Sequence, residues 1–351
     1  MDTSFIAKLR LNNQLLMGSD LKTAQEVVSW MGAVQAQDFN MTKWALGVRL
    51  PALTNKSVED AINKGLIVRT HILRPTWHLV AATDIHWMLA LSSPRVKLAL
   101  RSPDKILGLT DKIVEGMNVF IAKVLSENGH LTRQELGEML RAEGHEMESY
   151  KLNHIMFHAE LDGVVCSGNI KGGKQTYRLL EERIPKTEVF DKNIALERLA
   201  RKYFTSHAPA TLQDFVWWSG LAVSDARKAM EMIKPDFVVE KIDSLEYWIN
   251  NSFKELKDSR ESVFLLPAWD EFVVSYKNRE HIILDEHYRK VISKNGIFKP
   301  VVVKDGQIIG MWKRVKKKDR VFAETELFGK VDSVTRELIK KATDSFDLFH
   351  V

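Results

Sequence analysis

The sequence of 351 residues contains one cysteine, Cys166, and no long apolar run. A single cysteine permits no internal disulfide and no multi-thiolate metal site, which fits a reducing compartment, and we expect it to be a small buried hydrophobe. No stretch reaches about 18 uninterrupted apolar residues, the length of a membrane span. The N-terminal MDTSFIAKLR lacks the apolar region of a secretory signal. These absences predict a cytoplasmic protein without a membrane partner.

The composition is that of an ordinary soluble protein, with 45% hydrophobic and 28% charged residues, and it excludes a disordered chain. The net charge is +5, and residues 1–110 carry this whole excess, with 13 Lys and Arg against 8 Asp and Glu. A second basic cluster follows the strand-like Ile308–Trp312 and consists of Lys313, Arg314, Lys316, Lys317, Lys318 and Arg320. It is either a solvated hairpin tip or one wall of a phosphate-binding groove.

One pattern occurs three times: two or three short helices, then two strands joined by a polar turn. This pattern is typical of a winged helix, and its repetition indicates a tandem array. We therefore predict an α+β chain of three tandem winged-helix (helix-turn-helix) domains, 1–110, 111–185 and 186–262. A small C-terminal β-barrel with a terminal helix is predicted over 263–351.

The first copy combines helical apolar spacing at Ile6, Leu9, Leu15 and Leu16 with an apolar helix over 27–34, for which Thr23 is a candidate N-cap. A short helix over 57–64, with Ser57 and Asp60 in a capping interaction, precedes a hairpin. Its strands are predicted at 66–72 and 76–81, and Leu73-Arg74-Pro75 separates them.

The later copies have clearer boundaries. In the second, helices are predicted over 113–125, from the Thr132/Glu135 capping box to Arg141, and over 150–161, with wing strands at 164–166 and 176–179. In the third, helices over 195–204, 211–218 and 224–233 precede strands at 237–242 and 245–249, and Thr211 and Ser224 are expected N-caps. The barrel strands are predicted at 263–266, 272–276, 301–304, 307–312 and 321–327, with a Lys304-Asp305-Gly306-Gln307 hairpin turn and a helix over 332–343.

Three motifs that resemble known sites do not meet the requirements of those sites. Gly168–Lys174 matches a phosphate-binding loop, but Gln175 replaces the required Ser or Thr and the segment joins two strands, so it is predicted to be a wing tip. His154 and His158 share a helix face without a third ligand, which favours a structural role. Trp217 and Trp218 are expected in the core more than on a base-stacking surface. No metal and no cofactor are expected.

Gln35-Ala36-Gln37 is the most informative segment. Amides do not ionise, so neither glutamine is a base, but two glutamines can hold one water between donor and acceptor groups and direct it at a carbon that is becoming positive. That chemistry suits hydrolysis of an N-glycosidic bond to an alkylated purine, which is already positively charged and needs little acid assistance to leave. The alternative is a solvated helix end.

Four segments in order, AVQAQDF, RTHILRPTWHLVA, PATLQDFVWWSGL and LLPAWDEFVVSYKNR, resemble the winged-helix DNA glycosylases of the AlkZ/YcaQ type. The resemblance covers nearly the full chain. It implies winged helices and a barrel around a basic concave channel that holds double-stranded DNA. It also implies monofunctional glycosylases that remove bulky N7-alkylpurines and unhook interstrand crosslinks, with a water-positioning motif that is Gln-x-Gln in one branch and Gln-x-Asp in the other.

Gln35 and Gln37 match the Gln-x-Gln branch and are the expected catalytic residues. Asp38 would act as a base only if it turned inward, and we expect it to face away as a helix-end charge. The site-supporting residues are expected on the hairpin behind the first domain: Arg74, Thr76, Trp77 and His78. His78 either shapes the site or hydrogen-bonds the backbone and holds the hairpin.

The DNA-binding side chains expected from this picture are Arg69, Arg74, Arg279, Lys313, Arg314, Lys316 and Lys317. Asp270 and Arg279 are expected either to pair or to contact phosphate through the arginine, and phosphate contacts would position the duplex with weak sequence preference. Three non-identical units in one chain favour a monomer, acting at the bacterial nucleoid.

Two other functions use the same fold. A non-catalytic winged-helix regulator would bind DNA without chemistry, usually as a dimer on paired half-sites. A protein-interaction scaffold would not show the salt-sensitive binding to random duplex DNA that phosphate contacts produce.

Overall fold

The computed structural model describes residues 3–145, 148–186, 189–242, 244–251, 260–318 and 320–351. The chain forms two compact units, Met1–Val58 together with Leu196–Val351, and Glu59–Ala195. Helices and strands are mixed, as predicted, and a curled sheet of four strands lies toward the C-terminus. Among the described residues, no helix is both long enough and apolar enough to cross a membrane.

The helices span Thr3–Asn13 (α1), Ala24–Met31 (α2), Phe39–Gly47 (α3), Asn55–Asn63 (α4), Ile85–Ile106 (α5), Asp111–Asn128 (α6), Arg133–Ala142 (α7), Ser149–Leu161 (α8), Leu180–Arg183 (α9), Lys192–His207 (α10), Leu212–Ser219 (α11), Val223–Ile233 (α12), Glu271–Val274 (α13), Asp285–Val291 (α14) and Ser333–Phe349 (α15). The strands span Val34–Gln35 (β1), Ile67–His71 (β2), Trp77–Ala81 (β3), Leu131–Thr132 (β4), Val165–Ser167 (β5), Thr176–Leu179 (β6), Phe237–Ile242 (β7), Leu245–Asn250 (β8), Val263–Leu266 (β9), Val301–Lys304 (β10), Gln307–Lys317 (β11) and Arg320–Leu327 (β12).

The unit Glu59–Ala195 contains the predicted hairpin and the second helix-and-strand copy. Strands β2 and β3 pair antiparallel from Ile67↔Ala81 to His71↔Trp77, which confirms that hairpin. Helices α6 to α8 pack around an apolar core with a sheet in the order β4-β6-β5. The predicted Thr132/Glu135 capping box opens α7. Because the box satisfies two N–H groups at once, it marks the start of this helix reliably.

In the other unit, the third copy appears as α10, α11, α12 and the antiparallel hairpin β7–β8. Thr211 caps α11 as predicted, with Asp214 completing the box. Ser224 is not a cap, because α12 begins at Val223 and Ala222 occupies the cap position without a side-chain bond. The third predicted domain, 186–262, also includes residues 187, 188, 243 and 252–259, which lie outside the described residues.

The C-terminal sheet has the order β12-β11-β10-β9. Asp305 and Gly306 have φ of 48° and 88° and form the predicted turn between β10 and β11. A Cβ at Gly306 would also lie 2.7 Å from the Cβ of Ala7. Glycine is therefore required for two reasons, the positive φ and the lack of space for a side chain. Strand β11 runs past Trp312 to Lys317, five residues beyond the prediction. Helix α15 covers the sheet, and its Phe346 and Phe349 rings contact Trp44 at centroid distances of 5.2 and 5.3 Å.

Three local predictions are wrong. The segment 272–276 was expected to be a strand, but Asp270 accepts the Phe272 N–H and starts the short helix α13; the apolar Phe272, Val273 and Val274 suit either structure. Helix α2 has the Thr23 capping box but ends at Met31, because Gly32 takes φ 77°. Helix α4 begins at Asn55, two residues before the predicted start, so Ser57 lies inside the helix and does not cap it; Thr54 and Ser57 exchange N–H to side-chain hydrogen bonds of 2.9 and 3.1 Å.

Candidate active site

The Gln35-Ala36-Gln37 segment begins in the short strand β1 and is not a helix end. The main-chain N–H of Gln35 donates to Oε1 of Glu271 at 2.6 Å, and its carbonyl accepts a longer bond of 3.4 Å from Thr42 Oγ1. Gln35 is buried, at 4% exposure, and Gln37 is half-buried. The first glutamine is thus held through its main chain on both sides.

Asp38 ends this segment as the N-cap of α3. Its Oδ1 accepts the N–H groups of Asn40 and Met41, both at 3.1 Å, and the residue is exposed. This confirms the expected helix-end charge. The lone pairs of this carboxylate oxygen are therefore directed at the helix N–H groups.

Glu271 is fully buried and joins several elements. Besides the Gln35 N–H, the carboxylate accepts a hydrogen bond from Trp218 Nε1 at 3.1 Å and one from Ser275 Oγ, both on Oε2. His207 Nε2 lies 3.6 Å from the same oxygen. Burial lowers the pKa of His207, although the Glu271 carboxylate opposes that shift. The sequence motif LLPAWDEFVVSYKNR contained this acid, but its residue pattern did not single it out.

Behind Glu271 lies a second buried carboxylate, Asp270, paired with Arg49. The guanidinium makes two 2.8 Å bonds to Asp270 and a third bond of 3.0 Å to Gln14 Oε1. The predicted pairing of Asp270 with Arg279 is therefore wrong. Arg279 is itself buried, and its Nε donates to the carbonyl of Val273 at 2.8 Å. Burial lowers the Arg279 pKa.

A cleft of about 640 Å³ opens beside the motif within the same unit. Residues from the start of α3 form one wall, and the basic stretch of β11 contributes Lys313 and Arg314. Lys313 forms an exposed ion pair of 2.9 Å with Glu324, which raises the pKa of Lys313. Lys316 and Lys317 lie further along β11 and are exposed. The structure therefore brings two of the predicted basic residues to the cleft that Asp38 also lines.

The predicted site-supporting residues lie on the hairpin of the other unit. Arg74 and Thr76 form its tight turn, in which the Thr76 N–H donates to the Arg74 carbonyl at 2.6 Å. His78 is buried, with Nδ1 3.0 Å from the Thr76 carbonyl. It therefore contacts the backbone of the hairpin, one of the two roles expected for it.

Trp77 belongs to an aromatic and charged cluster in that unit. The Arg69 guanidinium lies 4.2 Å from the centre of a Trp77 ring, and the Trp77 Nε1 donates to Glu160 at 3.5 Å. The same glutamate accepts the main-chain N–H of His71 at 2.8 Å. Arg69 also donates to Gln175 Oε1. Arg69 is thus stacked and hydrogen-bonded at the base of the wing.

The three motifs rejected as sites have structural roles. Gly168–Lys174 connects β5 and β6 as a wing tip. His154 and His158 both contact Asp104, at 3.3 and 2.9 Å, and no metal-binding group of three or more His, Cys, Asp or Glu residues occurs in the described part of the chain. Trp218 is buried, and Trp217 donates to the Val274 carbonyl at 2.8 Å.

Comparison with known proteins places the chain among the DNA glycosylases. The family model described as DNA glycosylase AlkZ-like matches residues 28–347, so the chain belongs to that family. This confirms the resemblance and the glycosylase class of enzyme. An interstrand DNA cross-link repair glycosylase of Streptomyces sahachiroi is 22% identical over 322 residues, which cover 87% of this chain and 86% of the relative.

The fold also matches a solved structure, the DNA glycosylase AlkZ of Streptomyces sahachiroi. The TM-score is 0.81 at 20% identity, and the match covers 98% of this chain and 95% of the other. At this identity the likeness shows the fold alone.

Proposed function

We propose that this chain is a monofunctional DNA glycosylase that hydrolyses the N-glycosidic bond of N7-alkylated purines in double-stranded DNA and unhooks interstrand crosslinks. The observation that carries the proposal is the placement of Gln35, whose main chain is anchored to a buried carboxylate in a chain of glycosylase family. The name of the Streptomyces relative supports crosslinked DNA as a substrate. Family membership does not favour the alternative of a non-catalytic regulator.

Gln35 and Gln37 position the attacking water. The motif is not helical, because strand β1 ends at Gln35 and helix α3 begins only at Phe39; this supports the proposal, since side chains two residues apart in a helix would point to different sides. Asp38 is engaged as a helix cap, which argues against it as the base. The cationic purine leaves without strong acid assistance, so an oriented water is the main requirement.

Exposed basic side chains supply the phosphate contacts. Lys316 and Lys317 extend from β11 into solvent, and Lys313 and Arg314 line the cleft beside the motif. Arg69 and Arg74 are proposed contacts from the other unit. Arg279 has the weakest support, because its buried guanidinium bonds to the main chain. Arg74, Thr76, Trp77 and His78 stay predictions as site-supporting residues.

The proposed architecture is three tandem winged helices, 1–110, 111–185 and 186–262, followed by a barrel-like domain over 263–351. The three helix-and-hairpin groups found along the chain support this division. We further propose that the enzyme acts as a monomer on nucleoid DNA in the cytoplasm. Three DNA-binding modules in one chain do not need a second copy to contact DNA at several points, which supports a monomer.

The test is base release from duplex DNA carrying N7-methylguanine by the wild type and by a Gln35→Ala, Gln37→Ala variant. We expect a loss of about a hundredfold, the typical scale for removing one transition-state hydrogen-bond donor. Gln134→Ala is the matched control, because Gln134 is an exposed glutamine on α7 in the other unit. Its release rate should equal that of the wild type.

A crosslinked duplex is assayed in parallel. If the wild type releases no base from either substrate while its DNA binding weakens steeply with salt, the proposed glycosylase function is wrong. The protein is then interpreted as a non-catalytic DNA-binding regulator. If only the crosslinked duplex reacts, the crosslink function stands and the simple alkylpurine substrate is wrong.

A further inference from the structure

We propose that Glu271 is a positioning residue of this enzyme: it fixes the main chain of Gln35 and thereby the place of the attacking water. The inference rests on the proposed function, because it assigns Glu271 a role only through Gln35. Glu271 lies 236 residues from Gln35 along the chain and is 0% exposed. It does not need to touch DNA to affect hydrolysis.

The two carboxylate oxygens have different tasks. Oε1 accepts the Gln35 N–H at 2.6 Å, which is short for an N–H···O hydrogen bond. Oε2 accepts Trp218 Nε1 at 3.1 Å and Ser275 Oγ, which ties the same carboxylate to α11 and to the end of α13. The Glu271 side chain therefore links the strand that carries Gln35 to two helices, α11 and α13. A movement of that carboxylate moves the catalytic segment.

A simple space-filling role would not require this arrangement. A water-positioning glutamine must hold its amide within a fraction of an ångström, because small displacements of a reacting group cost much of the rate. A further main-chain contact of Gln35, from Thr42 Oγ1, is 3.4 Å long and therefore weak. The Glu271 bond is the stronger of these two restraints.

The Glu271→Gln substitution tests the role while keeping the side-chain volume nearly the same. An amide has one acceptor oxygen and one NH₂ donor. In E271Q, the NH₂ must face either the Gln35 N–H or the Trp218 Nε1–H, which places two donors together. Trp218→Phe removes one of these donors, so adding it to E271Q lets the amide oxygen turn toward Gln35 while the NH₂ faces Ser275 Oγ, which can accept.

The matched control is Asp270→Asn. Asp270 is the neighbouring buried carboxylate, and it pairs with Arg49 and caps α13; no hydrogen bond joins it to Gln35 among the bonds described here. Asparagine is also a good N-cap, so α13 is expected to persist. D270N therefore removes a buried carboxylate from the same helix start without removing the Gln35 anchor.

The experiment measures two quantities on the full chain, at a temperature where every variant is folded. One is hydrogen exchange of the Gln35 main-chain amide, followed by NMR after selective ¹⁵N-glutamine labelling, with the Gln134 amide as internal reference. The other is the single-turnover rate of base release from the N7-methylguanine and crosslinked duplexes, together with the Kd for DNA.

We expect E271Q to accelerate Gln35 exchange at least tenfold and to lower the release rate at least tenfold, with Kd within twofold of wild type. The W218F, E271Q double variant should recover a substantial part of the rate, and D270N should keep the rate within about threefold. If E271Q does not fold, Glu271→Asp serves instead, because it keeps the charge but withdraws the carboxylate by one methylene. The same loss of rate at unchanged Kd is then expected.

Faster Gln35 exchange with an unchanged release rate would overturn the proposal, since the anchor would then be irrelevant to hydrolysis. Equal losses in E271Q and D270N would also overturn it, because they would indicate general destabilisation of the region. A wild type that is inactive on both duplexes refutes the proposed function and with it the positioning role of Glu271. In that case the exchange data separately report whether the anchor exists.

Discussion

The buried Arg49–Asp270 pair provides the sharpest stability prediction. Both side chains are almost fully buried, and the guanidinium makes two parallel 2.8 Å bonds to the carboxylate. Burial alone would lower the pKa of Arg49, but the charge and hydrogen bonds of Asp270 outweigh burial and raise it. Replacing Asp270 with asparagine leaves the arginine charged and buried, with one amide oxygen in place of two carboxylate oxygens.

The expected cost follows from that uncompensated charge. Removing one partner of a buried pair typically costs about 3–5 kcal/mol. With an m value of about 2 kcal/mol/M, this lowers the urea midpoint of the unit that contains both residues by about 2 M. The unit Glu59–Ala195 should keep its own transition, since neither residue belongs to it.

The assay is equilibrium urea unfolding, followed by tryptophan fluorescence and by far-UV circular dichroism. Asp236→Asn is the matched control in the same unit, because Asp236 forms an ion pair with Arg201 in which both side chains are about half exposed. Exposed pairs contribute about 0.2–1 kcal/mol. If D270N is no more destabilising than D236N, the reasoning from burial and bidentate geometry is refuted.

Two further predictions concern buried titratable groups. Burial raises the pKa of Cys166 to about 12, so its thiol should not react with a disulfide reagent at pH 8 until Glu59–Ala195 unfolds; prompt reaction of the folded protein would contradict this. Burial lowers the pKa of His207 in the folded state, so the unfolded state binds a proton at this residue more readily. The neutral buried His207 therefore contributes its full stability above about pH 6.5, and the free energy of unfolding should decrease as the pH falls below that value. Urea midpoints at pH 7.5 and 5 test this: His207→Gln should reduce their difference, and an unchanged difference would assign the effect to other groups.

Local signals made much of the fold predictable. Thr23, Thr132 and Thr211 all cap their helices as expected, and each lies in a capping box whose hydrogen-bonding residues are only three apart. The Asp305-Gly306 turn could also be predicted, since this type of turn requires positive φ and Asp-Gly is a residue pair that adopts it. Helix caps and tight turns depend on residues close together in the sequence, so they can be predicted without knowledge of the tertiary structure.

Where tertiary contacts choose between local alternatives, the predictions were wrong. The apolar run after Asp270 suits a strand or a short helix equally, and burial on all sides removes the periodicity that would separate them. The partner of Asp270 was misassigned for a similar reason. Arg279 is nearer in sequence, but Arg49, 221 residues away, is the arginine that meets the carboxylate.

The candidate site illustrates both cases. Gln35 and Gln37 could be predicted as site residues because two amides one residue apart suit a reaction in which a water is directed at a carbon. This is a property of residue type and spacing. Glu271 did not, because an acid in an apolar run has no local pattern that predicts a main-chain N–H as its partner. A glutamine that positions water needs a fixed backbone as much as it needs an amide. The backbone of Gln35 is hydrogen-bonded to Glu271, which lies 236 residues away in the sequence. A Gln-x-Gln tripeptide is therefore a weak predictor of this chemistry by itself. Under the role proposed for Glu271, its value depends on whether the fold brings a buried acceptor to the N–H of the first glutamine.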